Sequence, residues 1–98
     1  MEVKRLAQIY LPTPLRRLTQ GKAKVVTAGR TVEEALAELE QRFPGLREQL
    51  REPTGEVRRF INVFVNGTEI RTLQGSATPV GESDEVSIIP AMAGGSLG

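Results

Sequence analysis

The sequence predicts an α+β domain in which one main amphipathic helix lies across one face of a mixed sheet. Three observations predict it. A capping-box start at Thr31 opens an apolar stripe running to Phe43, alternating segments stand before and after that helix, and 98 residues leave room for a single core and no second domain.

Residues 3–11 alternate, with Ala7, Ile9 and Leu11 on one parity and Gln8 and Tyr10 on the other, which is a strand pattern. Pro12 and Pro14 end it, and the polar stretch 12–21 reads as a loop. Residues 22–27 form a second strand around the β-branched pair Val25 and Val26, and the two strands make an antiparallel hairpin.

Ala28-Gly29-Arg30 breaks the alternation. Thr31 is then placed to accept the backbone N–H of Glu34 while Glu34 reaches back, and Val32, Ala35, Leu36, Leu39 and Phe43 recur at three- and four-residue spacing. Glu33, Glu34, Glu38, Glu40 and Arg42 cover the remaining faces and are expected in solvent. Pro44-Gly45 stops the helix, residues 46–51 add a short helical turn that packs Leu46 and Leu50, and residues 52–56 are a polar loop.

Residues 59–66 carry the strongest strand signal, with Ile61, Val63 and Val65 on one face and Asn62, Phe64 and Asn66 on the other. Asn66-Gly67 suits a type I′ hairpin turn, since both central positions need positive φ, and residues 68–71 make a short return strand. Residues 73–80 read as an irregular crossover and 81–84 as a turn. Residues 85–89 are the last strand, with Val86 and Ile88 inward and Ser87 and Ile89 outward, and Pro90, which has no N–H, closes its pairing.

The composition excludes several function classes. Hydrophobic residues are 39% and charged residues 26% of a chain of net charge +1, so neither a nucleic-acid footprint nor an acidic tail is indicated. The basic pairs Arg16-Arg17 and Arg58-Arg59 read as solvated faces or protein contacts rather than phosphate sites. With no cysteine and no histidine, the chain lacks a thiol nucleophile, the commonest general base and the commonest metal ligand. An enzyme working by its own side chains, or a metal centre, is therefore not expected. The longest mainly apolar run, 60–65, is interrupted by Asn62, and no signal-peptide core precedes it, so a cytoplasmic chain without membrane contact is expected.

Residues 1–90 are thus expected to form the folded domain. Residues 91–98, Ala91-Met92-Ala93-Gly94-Gly95-Ser96-Leu97-Gly98, carry no charged side chain and little bulk, which describes a flexible projecting tail. The run Glu85-Val86-Ser87-Ile88-Ile89-Pro90-Ala91-Met92-Ala93-Gly94-Gly95, after strand, helix and strand in this order, resembles the ubiquitin-like sulfur carriers of the MoaD/ThiS family. Leu11-Pro12-Thr13 and Arg59-Phe60-Ile61-Asn62-Val63-Phe64-Val65-Asn66 extend the likeness, which covers Ala7 to Gly95 and is nearer to the carriers of bacterial cysteine biosynthesis.

The resemblance implies a β-grasp fold and a carrier that is not itself an enzyme. A MoeB/ThiF-like adenylating enzyme would use ATP to activate the Gly95 carboxylate, sulfur would displace AMP, and the thiocarboxylate would serve a sulfur-accepting synthase. Gly94 would be the second slim residue, and Ala91, Met92 and Ala93 the arm, with no cofactor bound permanently. Here Ser96-Leu97-Gly98 follows Gly95, so its carbonyl is an amide. By the same resemblance a JAMM-type metallopeptidase would remove those residues, the alternatives being an added remnant or a docking module only. The small subunit of molybdopterin synthase and a ubiquitin-like modifier ending in an isopeptide bond are the other readings. A carrier also needs a docking face. Phe64, Ile89 and Tyr10 point by parity to the side of the sheet that the helix leaves open, with Arg59 and Arg71 expected at its rim.

Overall fold

Alternation sets the sheet. The computed structural model describes residues 6–91. Strand β1, Ala7–Tyr10, buries Ala7 and Ile9 and leaves Gln8 and Tyr10 half-buried. It pairs antiparallel with β2, Lys24–Thr27, which buries Val25 and Thr27. The expected start of the first strand at residues 3–5 lies outside the described residues.

The stretch read as a loop is instead a 3-10 helix over Thr13–Thr19 that buries Leu15 and Thr19. Proline misled the reading: it is compatible with the first turn of a helix, where an N–H has no partner anyway, and Leu15 and Leu18 stand at the three-residue repeat of this helix type. Arg16 Nε donates to the Leu11 carbonyl at 3.0 Å, and Gln20, at φ 59°, ends the element.

Helix α1 spans Val32–Arg42. The Thr31 hydroxyl accepts the Glu34 N–H at 3.1 Å, as the capping box requires, while the Glu34 carboxylate accepts the Arg30 N–H at 2.8 Å, one residue further back than that motif specifies. All five stripe residues are buried. The helix can sit this close to the preceding loop because Gly29 has no side chain: a Cβ there would lie 2.5 Å from the Ala35 nitrogen.

Two carboxylates depart from the solvated face assigned to them. Glu40 is buried, because α2, Gly45–Leu50, turns back against α1 and delivers Arg51, whose Nε donates to Glu40 at 2.7 Å. The Arg51 guanidinium also donates to Glu33 at 2.9 Å and to the Gly55 carbonyl at 2.9 Å. Burial by itself would lower the pKa of Arg51, but its bonds to Glu33 and Glu40 and their charges outweigh that and raise it. Glu38 accepts the buried Thr27 hydroxyl at 2.6 Å and the Ala28 N–H at 2.9 Å, joining α1 to the end of β2. The Thr27 bond is the main reason its carboxyl sits below the usual range, ahead of the opposing effect of burial. A carboxyl lowered in this way stabilises the fold above its unfolded pKa, and that contribution is lost as pH falls through the folded value.

Strand β3, Ile61–Val65, buries Ile61, Val63 and Val65. Asn66 at φ 51° and Gly67 at φ 88° make the turn to β4, Thr68–Glu69. The return strand is shorter than the sequence suggests, because the chain leaves it at Ile70–Thr72, a 3-10 turn that buries Ile70. The crossover then bonds to the entry of α1, Val80 N–H to the Arg30 carbonyl and Val32 N–H to the Thr78 carbonyl, each at 2.9 Å.

Strand β5, Glu85–Pro90, enters the middle of the sheet and buries Val86 and Ile88. The order is β2-β1-β5-β3-β4, with β5 parallel to β1 and every other pairing antiparallel. This is the mixed sheet that the pattern predicts, and the buried faces of its strands join the α1 stripe in one apolar core.

Candidate functional site

A proline in a central strand needs an explanation, because it withholds a ladder donor. Pro90 lies opposite Ile61, and the next pair along, Ala91 with Phe60, carries a hydrogen bond from the Ala91 N–H to the Phe60 carbonyl at 2.6 Å. Antiparallel pairs alternate, so an N–H at position 90 would point away from β3, toward the side of β1, whose pairing with β5 ends at Tyr10 opposite Ser87. The proline therefore costs no sheet bond. The strand runs one residue beyond the expected Ile89, and Ala91 is exposed. Met92, Ala93, Gly94 and Gly95, assigned to the arm and the reactive carboxyl, lie outside the described residues, as do Ser96, Leu97 and Gly98.

The register builds the open face beside this exit. Lys24, Tyr10, Ser87, Phe64 and Glu69 form one row across the five strands, and Asn62 and Ile89 are paired in the next row toward Ala91. Tyr10 and Phe64 are half-buried and Ile89 is 47% exposed, so the three candidates do share this face. Ser87 stands between the two aromatic residues and Phe64 is diagonal to Ile89, a spacing within reach of large side chains. Lys24 Nζ lies 5.9 Å from the Tyr10 ring centroid, and the Tyr10 hydroxyl donates to Gln8 at 3.1 Å.

The sequence reading missed Phe60. It is 57% exposed and shares the parity of Asn62 and Phe64, a signal already legible in the alternation of that strand. Val26, 41% exposed, belongs to the same face at the β2 edge.

The two arginines assigned to the rim differ. Arg59 is exposed in the turn before β3. Arg71 is also exposed, yet its guanidinium donates to Asn62 Oδ1 at 2.9 Å and to the carbonyls of Ile61 at 3.0 Å, Arg58 at 3.3 Å and Arg59 at 3.4 Å. It is a brace within the domain. In each basic pair one member is similarly engaged, Arg16 with the Leu11 carbonyl and Arg58 with the Glu48 carbonyl at 3.0 Å.

Among the described residues, no three His, Cys, Asp or Glu side chains are grouped as metal ligands, and no helix is long and apolar enough to cross a membrane. A cavity of about 350 Å³ beside α2 is lined by Arg47, Arg51 and Arg58 together with Glu48, Glu52 and Pro53. Its arginines are already bonded to Glu40, Glu33 and Glu52. The geometry therefore offers a face and an exit rather than a cluster of reacting side chains.

The family model for the ThiS family matches residues 9–95, a span that runs from the middle of β1 through the helix and the other four strands to the glycine pair. The chain belongs to the ThiS family. It is a sulfur-carrier protein of the ubiquitin-like, β-grasp kind. The sulfur carrier protein CysO of Mycobacterium tuberculosis is 37% identical over 89 residues, covering 89% of this chain and 96% of that protein. Among solved structures, the Amycolatopsis orientalis BexX/CysO complex contains a chain that is 36% identical with a TM-score of 0.83, covering 91% of this chain and 99% of that one. Small archaeal modifier protein 1 from Methanosarcina acetivorans is 28% identical with a TM-score of 0.83, covering 96% of this chain and all, 100%, of that chain. The ThiS-family member described here thus has relatives named both as carriers and as modifiers.

Proposed function

We propose that this chain carries sulfur as a thiocarboxylate on Gly95, supplied to a sulfur-accepting synthase, with cysteine biosynthesis as the pathway. The single observation that carries the reading is that the ThiS-family match spans residues 9–95 and so ends on Gly95. The likeness to CysO favours the cysteine pathway over molybdopterin synthesis.

Gly95 is followed by Ser96, so hydrolysis of that peptide bond by a JAMM-type metallopeptidase comes first and frees the carboxylate. A carboxylate resists nucleophiles because of its own charge. A MoeB/ThiF-like partner removes the obstacle: a carboxylate oxygen attacks the α-phosphorus of ATP, pyrophosphate leaves, and a sulfide-level nucleophile then attacks the acyl carbon and expels AMP. ATP and the catalytic groups belong to the partners in this scheme, so the chain is a substrate and not an enzyme, and the cytoplasm is its proposed location. The partner face is the open side of the sheet, Tyr10, Phe64 and Ile89 together with Phe60, since it adjoins the β5 exit from which the chain continues toward Gly95. That the CysO relative occurs in a complex with BexX supports such pairing.

Mass spectrometry of the protein recovered from cells tests the proposal. Loss of residues 96–98 with one oxygen replaced by sulfur is the expected result, and a version lacking Gly95 and all that follows should fold but take up no sulfur. Loading of that truncated version would reject Gly95 as the site. Attachment through Gly95 to lysines would instead establish the modifier reading, which the likeness to small archaeal modifier protein 1 supports.

A further inference from the structure

We propose that Arg71 is a positioning residue for the C-terminal segment: it fixes the 58–61 turn, whose Phe60 carbonyl holds the Ala91 amide, and so sets where and in what direction the chain leaves β5. The consequence for sulfur loading rests on the carrier reading above, whereas the geometry stands without it.

The turn is defined by the Ile61 N–H, which donates to the Arg58 carbonyl at 2.9 Å, and is tied to α2 by the Arg58 N–H, which donates to the Leu50 carbonyl at 2.8 Å. Arg71 donates to the carbonyls of Arg58, Arg59 and Ile61. The one carbonyl of this turn left over is that of Phe60, and it accepts the Ala91 N–H. Every peptide plane in the turn is thereby held in orientation. A guanidinium suits the task, because its rigid planar fork turns Nη2 toward the three carbonyls while Nη1 is held by Asn62 Oδ1 and Glu69, a division that an ammonium, with its three donors on one freely rotating nitrogen, does not fix.

Arg71 is itself anchored. It stands on the 3-10 turn Ile70–Thr72, whose first residue is buried in the core, and the Thr72 hydroxyl donates to the Glu69 carbonyl at 2.6 Å. The Glu69 carboxylate, 3.4 Å away, and Asn62 Oδ1 hold the guanidinium from the strand side. The exit of the chain depends on this clamp because the Pro90 position has no β1 neighbour, so the Ala91 bond to Phe60 secures it from one side alone. Removing Arg71 leaves the Arg59 and Ile61 carbonyls to water; the Ile61–Asn62 plane is still held by the pairing of Asn62 with Ile89, but the Arg59–Phe60 plane, next to the Phe60 carbonyl, is free to rotate.

Amide hydrogen exchange followed by NMR on the full chain provides the test. Arg71→Met keeps the apolar stem and removes all donors, and it should speed exchange at Ala91 by roughly five- to tenfold. Exchange at Val86 and Ile88 should stay as in the parent chain, and Arg71→Lys should fall in between. On a chain ending at Gly95, adenylation by the activating enzyme should lose kcat in Arg71→Met with KM little changed, and Arg71→Lys should restore part of it. Unchanged exchange at Ala91, or an increase shared equally by Val86 and Ile88, would overturn the inference. If Arg71→Met does not fold, Arg71→Lys decides by the same Ala91-specific change. Should the parent chain itself not be adenylated, the carrier reading fails while the exchange result still decides the role of Arg71.

Discussion

Glu40 and Arg51 face each other at 2.7 Å with both side chains almost wholly buried. Two ions taken out of water hold their place only as a pair, so removing one is costlier than replacing both. Arg51→Met should therefore destabilise the domain by about 3–5 kcal/mol, and the double substitution Glu40→Leu with Arg51→Met should recover a good part of that. Urea unfolding of the single and double variants measures both. This pair was not legible in the sequence, where Glu40 looks like one more acid on a charged helix face. Its burial depends on α2 folding back, a tertiary event that the α1 pattern does not encode. Thr31, by contrast, was legible because an N-cap is a local bond between residues three apart. Phe60 was legible in principle, by its parity with Phe64, but the strand begins only at Ile61 and the alternation carries on into a turn.

At the scale of elements, the helix, the Asn66-Gly67 hairpin and the buried sets of β1, β3 and β5 could be read from period alone, whereas in β2 the adjacent Val25 and Val26 left open which of them is inward. Two of the connections could not. The 3-10 helix Thr13–Thr19 hides behind its prolines, and β4 is cut short because Ile70 turns into the core. Gly29 shows the same limit: in sequence it is a breaker, and in space it is the contact that seats α1 against the end of β2. A methyl group there would meet backbone atoms of Glu34 and Ala35, neither of which can rotate away as a side chain would. Gly29→Ala should cost about 1–3 kcal/mol through displacement of the first helical turn, whereas Gly55→Ala meets no atoms and its cost comes from the backbone alone, strained at a φ of 96°. Thermal melts of the two variants, with helix content followed by circular dichroism, separate the contributions.

At the scale of the whole molecule, one face of the sheet carries the helix and the other carries Phe60, Phe64, Ile89 and Tyr10 beside the exit of β5. Since Phe64 is half-buried on that open side, a carboxylate in its place can reach water. Phe64→Glu is expected to cost about 1–2 kcal/mol of stability, from lost apolar burial and the Glu69 carboxylate opposite it, without unfolding the domain, and to weaken binding to the adenylating enzyme at least tenfold, as loss of an aromatic anchor does. Calorimetric titration set beside a melt checks this; a large loss of stability with unchanged affinity would remove Phe64 from the face. That face was legible as a set of outward positions, while its neighbourhood with the exit was not, because it follows from β5 lying between β1 and β3. The central seat of β5 has a mechanical consequence as well. A partner that pulls on the segment after Ala91 loads β5 along its own axis, against ladders on both flanks, one parallel and one antiparallel. Such traction must shear many bonds together instead of peeling them singly, so the domain can be tugged by its tail without coming undone.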